Sequence, residues 1–322
     1  MGRPFYLGVA AAVLAAFAWS SNFIAPFMIG NFSPFDLALV RHVVSGLVGL
    51  CILLLEKNIS QHLTRRNWLV ASWLAFIGYV GYFLTVTGAA IYCGPVVAPA
   101  FVGLVPIVLA LVGNLRQGSV PWRALSVPLA LVSIGLLLVN GAAFTAEGLD
   151  SARSLPIGIP LAAAAVVLWV WFAIENQAAM AARPDMPSSV WTALILVGGG
   201  IQMLAMAPFG TALGLFQLSK LGFAYDVAGR LYVWGASLAL LATVGGVWAW
   251  NMAARILPIA LAAQLIVLET VFGIIGGLVI HARWPTAVES GGIVILIAGV
   301  LLTIRVFHEG RSRSSRCHVQ DA

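Results

Sequence analysis

The sequence has very little charge: 9% of its 322 residues are Asp, Glu, Lys or Arg, whereas 61% are hydrophobic. About a quarter of the residues in an ordinary soluble domain are charged, so the composition excludes a soluble globular protein. Lys and Arg exceed Asp and Glu by 17 to 11, a net charge of +6. Because these charges are scattered between apolar runs, they form no nucleic-acid-binding face, and we expect no nucleic-acid partner.

Cysteine is also scarce, with Cys51, Cys93 and Cys317 the three present. An odd number without metal-ligand spacing excludes a disulfide framework and a zinc cluster. The sequence has no Walker loop and no Rossmann glycine fingerprint, so nucleotide hydrolysis by this chain is not expected. We therefore predict no cofactor and no metal.

Long apolar runs make up most of the chain. A membrane helix needs about 20 apolar residues, and ten runs reach that length. The first run is about 25 residues long, beyond the core of a signal peptide, and we interpret it as a retained span. The sequence predicts an all-α integral membrane protein with ten transmembrane helices at 5–29, 34–56, 67–90, 95–115, 121–140, 156–182, 189–213, 231–254, 258–281 and 285–306.

Basic residues are distributed unevenly between the connections. With the N-terminus inside, twelve Lys and Arg lie on the cytoplasmic side and four outside, as the positive-inside rule requires. An even number of spans returns the C-terminus to the cytoplasm. The basic tail after residue 306 is predicted to be solvated and disordered.

The two halves of the chain share a spacing pattern. A shift of 164 positions places Gly113 on Gly277 and Pro121 on Pro285. Because each half has an odd number of spans, the halves have inverted topology, which is typical of secondary transporters. We predict two inverted five-helix repeats around a central cavity, with the first repeat at 1–140, an outer connection at 141–155, the second repeat at 156–306 and the cytoplasmic tail at 307–322.

Several short sequence motifs occupy positions that are typical of one family of membrane proteins. Trp19-Ser-Ser-Asn22 lies in the first span, and Pro34 precedes Arg41 in the second. A short turn with Gly-Pro at 94–95 leads into Leu104-Val-Pro106. In these features the chain resembles the drug/metabolite transporter superfamily, in its EamA-type branch of ten-helix bacterial permeases.

A weaker similarity concerns one branch of that superfamily. Tyr79, nine residues before Gly88, together with Ala249-Trp250-Asn251, is similar to the aromatic amino-acid exporters. The resemblance to the superfamily implies two inverted repeats, a cavity open alternately to each side, and a multi-pass protein of the bacterial cytoplasmic (inner) membrane.

Glu269 is the most informative single residue. It lies twelve positions into the ninth run, about half of the roughly 30 Å crossing. We interpret it as a substrate-binding carboxyl and as the candidate for proton coupling, since ionisable groups at that depth are expensive and mark transport pathways. The alternative is a structural carboxyl, either neutral or paired with a neighbouring helix.

Arg41 lies about 10 Å below the outer surface by helical rise. Two interpretations stay open: it binds an anionic carboxylate with its planar fork, or it pairs with Asp36 or Glu289 or extends outward. His42 beside it is interpreted as a hydrogen-bonded packing residue. Glu175 and Asn176 are predicted to reach the inner interface near Arg183.

Aromatic and amide side chains complete the candidate site. Deep aromatic rings are expected to bind ring-bearing or cationic solutes by stacking and cation–π contact, and mid-span amides are expected to orient a carboxylate or an amine or else to bond neighbouring helices. Tryptophans near the ends of the runs are predicted to form interfacial belts. The predicted substrate-binding residues are Trp19, Asn22, Arg41, Tyr79, Trp169, Trp250, Asn251, Gln264 and Glu269, and the predicted belt is Trp68, Trp122, Trp191, Trp234 and Trp284.

These features favour a secondary transporter, not an enzyme. We expect it to move a small metabolite, an amino acid or an amphipathic or cationic compound, outward by alternating access, with proton exchange or facilitated passage as the energetics. The alternatives are an uptake permease of the same fold and a membrane enzyme acting on a lipid-linked substrate, for which Asp36, His42 and Glu289 are the available groups. The expected partners are the substrate and membrane lipid, and the chain acts as a monomer or a weak homodimer.

Overall fold

The protein is built from helices. The computed structural model describes residues 2–57, 59–118, 120–147, 154–280 and 282–320, and within them there is no strand. Ten helical segments in these ranges are long and apolar enough to cross a membrane, which confirms the predicted fold class. They are span 1 (Pro4–Phe27), span 2 (Pro34–Leu55), span 3 (Arg65–Cys93), span 4 (Ala100–Gln117), span 5 (Trp122–Gly141), span 6 (Leu155–Ala181), span 7 (Ser188–Ala212), span 8 (Tyr225–Ile256), span 9 (Ile259–Val279) and span 10 (Ala287–Glu309).

Three helices extend past the apolar runs that predict them. The helix that ends span 3 continues to Val102, so the turn predicted at 94–95 is wrong. The helix of span 5 continues to Glu147, and the helix of span 10 continues to Gln320. The prediction of a disordered tail is therefore wrong: Arg, Glu and Ser are all compatible with helix, so the helix outlasts the hydrophobic signal. Arg153, predicted to lie in the outer connection, falls outside the described residues.

An even number of spans brings both termini to the same end of the bundle. We call this the terminal end, and the opposite one the far end. Extensive helix contacts join spans 1 and 8, 2 and 7, 3 and 6, 4 and 9, and 5 and 10. Each of these interfaces therefore joins one span from the first half of the chain to one from the second.

Spans 3 and 8 contain irregular helix in their middle. Span 3 has a π-helical stretch at Phe76–Val80, and span 8 has a longer one at Ala239–Gly246. A π-helical turn accommodates an extra residue and is found mostly at functional sites. These two stretches hold several of the side chains described below.

Span 9 and the entry to span 4 are broken. One helix ends at Val102 and the next begins at Val105, directly before Pro106. In span 9 the helices Ile259–Ile266 and Leu268–Ile280 are separated at Val267. Pro106 lies at the break before span 4, whereas the preceding helix runs through Pro95 and Pro99.

Asp36 fixes the start of span 2 at the far end. It forms a capping box with Ser33, and its carboxylate also accepts hydrogen bonds from the backbone N–H groups of Gln217 (3.0 Å) and Leu218 (3.0 Å). Those two residues follow span 7. The fully buried carboxylate therefore joins two helix starts whose N–H groups have no intrahelical partner.

Candidate functional site

Three tryptophans from three spans meet in the bundle. The ring centroids of Trp19 and Trp169 lie 5.5 Å apart, those of Trp169 and Trp250 5.4 Å, and those of Trp19 and Trp250 5.9 Å. These separations and the edge-on or tilted geometries are those favoured by aromatic pairs. We call these three residues the tryptophan triad.

The backbone of span 8 holds Trp19 in place. Its indole Nε1 donates to the carbonyl oxygen of Ala242 in the π-helical stretch, at 2.9 Å. Gly246 makes room for the ring, because a Cβ atom there would lie 2.7 Å from Nε1 of Trp19. The irregular part of span 8 thus positions one wall of the cluster.

Spans 3 and 6 contribute a second group of rings next to the triad. Phe172 lies 5.2 Å from Trp169 and 5.5 Å from Tyr79, centroid to centroid, and Tyr82 lies 6.5 Å from Trp169. Phe172 packs against the backbone of Gly78, where a Cβ atom would lie 2.4 Å from its ring. The two tyrosines are half-buried and carry the polar edge of this aromatic surface.

Arg41 is held by neutral partners from two other spans. Its Nε donates to the hydroxyl of Thr243 at 2.5 Å, and one terminal nitrogen donates to Oδ1 of Asn22 at 2.8 Å. No carboxylate among the described residues lies within 4.0 Å of the guanidinium. Pairing with Asp36 or Glu289, one of the two interpretations of Arg41, is therefore wrong.

Glu289 and Asp36 have partners of their own. Glu289 accepts two hydrogen bonds from Arg283, at 2.6 and 2.8 Å, at the far end of the bundle. The carboxylate of Asp36 accepts hydrogen bonds at the two helix starts described above. His42 donates from Nδ1 to the carbonyl oxygen of Ala38 at 2.7 Å and is buried, as a packing histidine should be.

Glu269 lies directly after the break in span 9 and is half-buried. No hydrogen bond or ion pair joins it to another of the described residues. The carboxyl lies within electrostatic range of the Arg41 guanidinium. A guanidinium and a carboxyl thus lie near each other in the bundle without forming an ion pair.

The arrangement fits a solute that carries a ring and two opposite charges. Indole and phenol rings offer stacking and cation–π surface, the guanidinium offers a planar fork to a carboxylate, and the carboxyl offers an acceptor to an ammonium. Six of the predicted residues are brought to this region together with Asn22, which reaches it through Arg41. They are Trp19, Arg41, Tyr79, Trp169, Trp250 and Glu269.

Asn251 belongs to a different, fully buried network. Nε1 of Trp191 donates to Asn176 (2.8 Å), Asn176 donates to Asn251 (2.7 Å), and Asn251 donates to Thr192 (2.8 Å). All four side chains are at most 1% exposed. The amide of Asn251 therefore bonds neighbouring helices, which was the alternative to its predicted substrate contact.

The network also changes two other expectations. Trp191 is not part of an interfacial belt, because its ring is fully buried and has Arg183 over its face at 4.9 Å. Asn176 points into the bundle instead of reaching the interface.

Its neighbour Glu175 is exposed as expected, but it pairs with Arg116 at 3.8 Å instead of lying beside Arg183. Trp122 and Trp284, at 46% and 91% exposure, are the belt tryptophans that stand most clearly at the surface.

Gln264 bridges the two broken spans. Its Nε2 donates to the carbonyl oxygen of Pro106 at 3.3 Å, and its Oε1 is buried without a hydrogen-bond partner among the described residues. Nε1 of Trp250 is also buried and unpartnered. These two atoms are available for a bound solute or water, since an unpaired buried polar group is costly.

Sequence reasoning missed two residues of the site. Tyr82 is three positions after Tyr79, so helical spacing alone places both on one face. Thr243 gives no such signal, because only the π-helical stretch of span 8 turns its hydroxyl toward Arg41.

Two grooves of about 330 and 430 Å³ lie at the surface of the protein, the first between spans 4 and 6, and neither is the predicted central cavity. In the ranges that the structure describes, no three His, Cys, Asp or Glu side chains are grouped to hold a metal ion.

Comparison with known proteins places the chain among membrane proteins. It is 29% identical over 311 residues to the inner membrane protein YtfF of Escherichia coli (strain K12), covering 92% of this chain and 95% of that protein. One solved crystal structure at 17% identity superimposes with a TM-score of 0.75 over 94% of this chain and 98% of the other, which shows a shared fold. No family model matches the sequence.

Proposed function

We propose that the protein is a secondary transporter of small organic solutes, of the drug/metabolite transporter superfamily and its EamA-type branch. The observation that carries this proposal is the pair Arg41 and Glu269, which lie deep in the bundle within electrostatic range of each other and form no ion pair. Uncompensated ionisable groups at membrane depth are characteristic of substrate and ion pathways. A purely structural pair would be expected to close into a salt bridge.

Inverted repeats are part of the proposal, and two features support them. Exchanging spans 1–5 with spans 6–10 converts the five helix interfaces described above into the same set. The shift of 164 positions places the π-helical stretch of span 3 on that of span 8, and the break at 103–104 on the break in span 9. Broken helices at corresponding places of two halves are typical of transporter sites.

The substrate that fits best is an amino acid with an apolar or aromatic side chain. Its carboxylate would bind Arg41, its ammonium would bind Glu269, and its side chain would stack on the tryptophan triad. An amphipathic cation would use Glu269 and the rings alone. The two classes differ in their need for Arg41, so the Arg41→Gln variant separates them.

We further propose that Glu269 couples transport to protons and that the terminal end faces the cytoplasm. A carboxyl in an apolar span exchanges its proton according to which side has access to it. The excess of Lys and Arg in the connections at the terminal end supports this orientation. The resemblance to exporters favours outward movement across the bacterial inner membrane.

Flux in proteoliposomes tests this function. Labelled amino acids and organic cations are offered to the wild type and to Glu269→Gln, with and without an imposed pH gradient. We expect wild-type flux of one class to respond to the gradient, and the variant to keep exchange but lose that response. Equal, gradient-independent flux in both proteins would make Glu269 structural and the protein a facilitator.

Two further outcomes would redirect the proposal. Flux only into the compartment that corresponds to the cytoplasm would favour an uptake permease of the same fold. No flux of any compound would contradict the transporter and favour a membrane enzyme. That alternative has no support from Asp36 and Glu289, which are held by structural partners.

A further inference from the structure

The connection between spans 8 and 9 is held by two glutamines. The helices Val247–Ile256 and Ile259–Ile266 are joined by two residues, Leu257 and Pro258. Such a junction leaves carbonyl groups at the end of one helix and N–H groups at the start of the next without intrahelical partners. Side chains from two other spans supply these partners.

Gln177, near the end of span 6, bonds the first helix. Its Nε2 donates to the carbonyl oxygens of Ala254 (2.7 Å) and Leu257 (3.1 Å). Gln117, the last residue of span 4, bonds the second helix, since its Oε1 accepts from the N–H of Ile259 at 3.1 Å. Both helix ends are thereby capped from outside.

The two glutamines also bond each other. Nε2 of Gln117 donates to Oε1 of Gln177 at 2.6 Å. One continuous series of hydrogen bonds therefore runs from Ile259 through both amides to Ala254. Gln117 comes from the first half of the chain, and every other member comes from the second.

Next to these hydrogen bonds, the helices of spans 4 and 9 are in direct contact. One turn before Gln117, an added Cβ atom on Gly113 would lie 2.3 Å from Cγ2 of Ile259 and 3.2 Å from the backbone nitrogen of Ala260. Spans 4 and 9 thus approach each other closely at the terminal end. The tryptophan triad lies deeper along its spans, six or more residues from their limits at the terminal end, whereas Gly113 and Ile259 lie within four residues of theirs.

We propose that Gln117 and Gln177 form a latch on the junction of spans 8 and 9, which keeps the terminal end closed and must part for a solute to leave or enter there. This rests on the proposed transport function. Neutral amides suit a reversible latch, because Gln117 is exposed and water can replace each of its hydrogen bonds at similar enthalpy.

Access of a thiol reagent to the site tests the latch without requiring transport. Native cysteines are replaced by serine, Tyr82→Cys serves as the reporter, and a membrane-impermeant maleimide is added on the terminal side of oriented vesicles. We expect Gln117→Ala and Gln177→Ala to raise the labelling rate at least fivefold. Gln61→Ala, an exposed glutamine at the same end outside the latch, should leave the rate unchanged.

A second pair of variants acts by packing. Gly113→Ala should force spans 4 and 9 apart and raise the labelling rate in the same way. Gly277→Ala is the matched control, since a Cβ atom there meets none of the described atoms within 4 Å. These variants keep the test informative if a glutamine variant folds poorly.

The outcomes separate the latch from a static cap and from the function itself. Lower thermal stability with unchanged labelling in Gln117→Ala, Gln177→Ala and Gly113→Ala would overturn the latch. Bridging Gln117→Cys to Gln177→Cys with a short bis-methanethiosulfonate, which forms a disulfide with each thiol, should abolish flux, and reduction of those disulfides should restore it. Increased labelling in a protein that moves no solute would support the latch and contradict the transporter.

Discussion

Nε of Arg41 donates to the hydroxyl of Thr243, a residue 202 positions later in the chain. The bond joins span 2 to the π-helical stretch of span 8, and it leaves the terminal nitrogens of the guanidinium for Asn22 and for a ligand. We infer that Thr243 sets the direction in which Arg41 points.

Replacing Thr243 by valine should weaken substrate binding. The change keeps the volume but removes the acceptor, so a deeply placed N–H loses its partner at a cost of about 1–3 kcal/mol. We expect an increase in KM of about tenfold, which corresponds to about 1.4 kcal/mol. Thr243→Ser keeps the hydroxyl and should retain a near-native KM; equal effects of both variants would contradict this role.

The Asn251→Ala variant should lose stability and keep its substrate affinity. Asn251 is fully buried, and its removal takes away the acceptor of the Asn176 Nδ2 group and the donor to the Thr192 hydroxyl, at about 1–3 kcal/mol for each unsatisfied group. Thermal unfolding in detergent measures the first effect, and KM of the surviving protein measures the second. Asn22→Ala is the comparison, because loss of the Arg41 contact should change KM more than stability. A raised KM with intact stability in Asn251→Ala would restore the substrate contact predicted from the sequence.

Two buried tryptophans should respond differently to the same substitution. Trp191→Phe removes a hydrogen bond to Asn176 and puts a smaller ring beneath Arg183, whereas Trp250→Phe removes an indole N–H that has no partner among the described residues and weakens the ring contacts of the triad. Both changes delete the same ring volume, so their difference compares the hydrogen bond and the cation–π contact with the ring contacts of the triad. We expect Trp191→Phe to be the more destabilising by about 1–3 kcal/mol. Melting temperatures of the two variants in one detergent provide the measurement, and a larger loss in Trp250→Phe would refute the expectation.

Asp36→Ala should be among the most damaging single changes at the far end. Its carboxylate accepts four hydrogen bonds at 2.8–3.0 Å from the backbone and side chain of Ser33 and the N–H groups of Gln217 and Leu218. Bonds to a charged group contribute about 1.5–3 kcal/mol each, so we expect a loss of at least about 3 kcal/mol. Asp226→Ala, an exposed acid in the first turn of span 8, should cost less than about 1 kcal/mol. Similar unfolding midpoints for the two variants would contradict the buried cap.

The number of spans and their order could be predicted from sequence because the signal is collective. Some twenty apolar residues in a row leave little choice of structure in a bilayer. The ends of the helices could not be predicted in this way, since the helix after span 10 continues through polar residues to Gln320. Hydropathy indicates which residues lie in lipid, whereas the tendency of residues to form a helix does not change at the lipid boundary.

The site could be predicted in part, and the misses have a common cause. Arg41, Glu269 and the tryptophan triad can be singled out from the sequence because charged and aromatic side chains deep in an apolar run are conspicuous. Asn22 and Asn251 look alike in sequence, yet one touches Arg41 and the other is sealed in a structural network. Which of two mid-span amides faces the path depends on how each helix is rotated in the bundle, and composition carries no information on rotation.

The π-helical stretches of spans 3 and 8 have a consequence for insertions and deletions. Each wider turn holds extra backbone without ending the helix, so the residues after it are rotated relative to those before it. Deleting one residue within 239–246 should restore a regular helix and leave every contact on one side of the deletion intact. It would nevertheless turn Ala242 and Thr243 away from Trp19 and Arg41, so a protein that still folds and inserts would lose the alignment between its two halves. Spans 3 and 8 therefore each consist of two helical segments, and the π-helical stretch between them sets how one segment is rotated relative to the other.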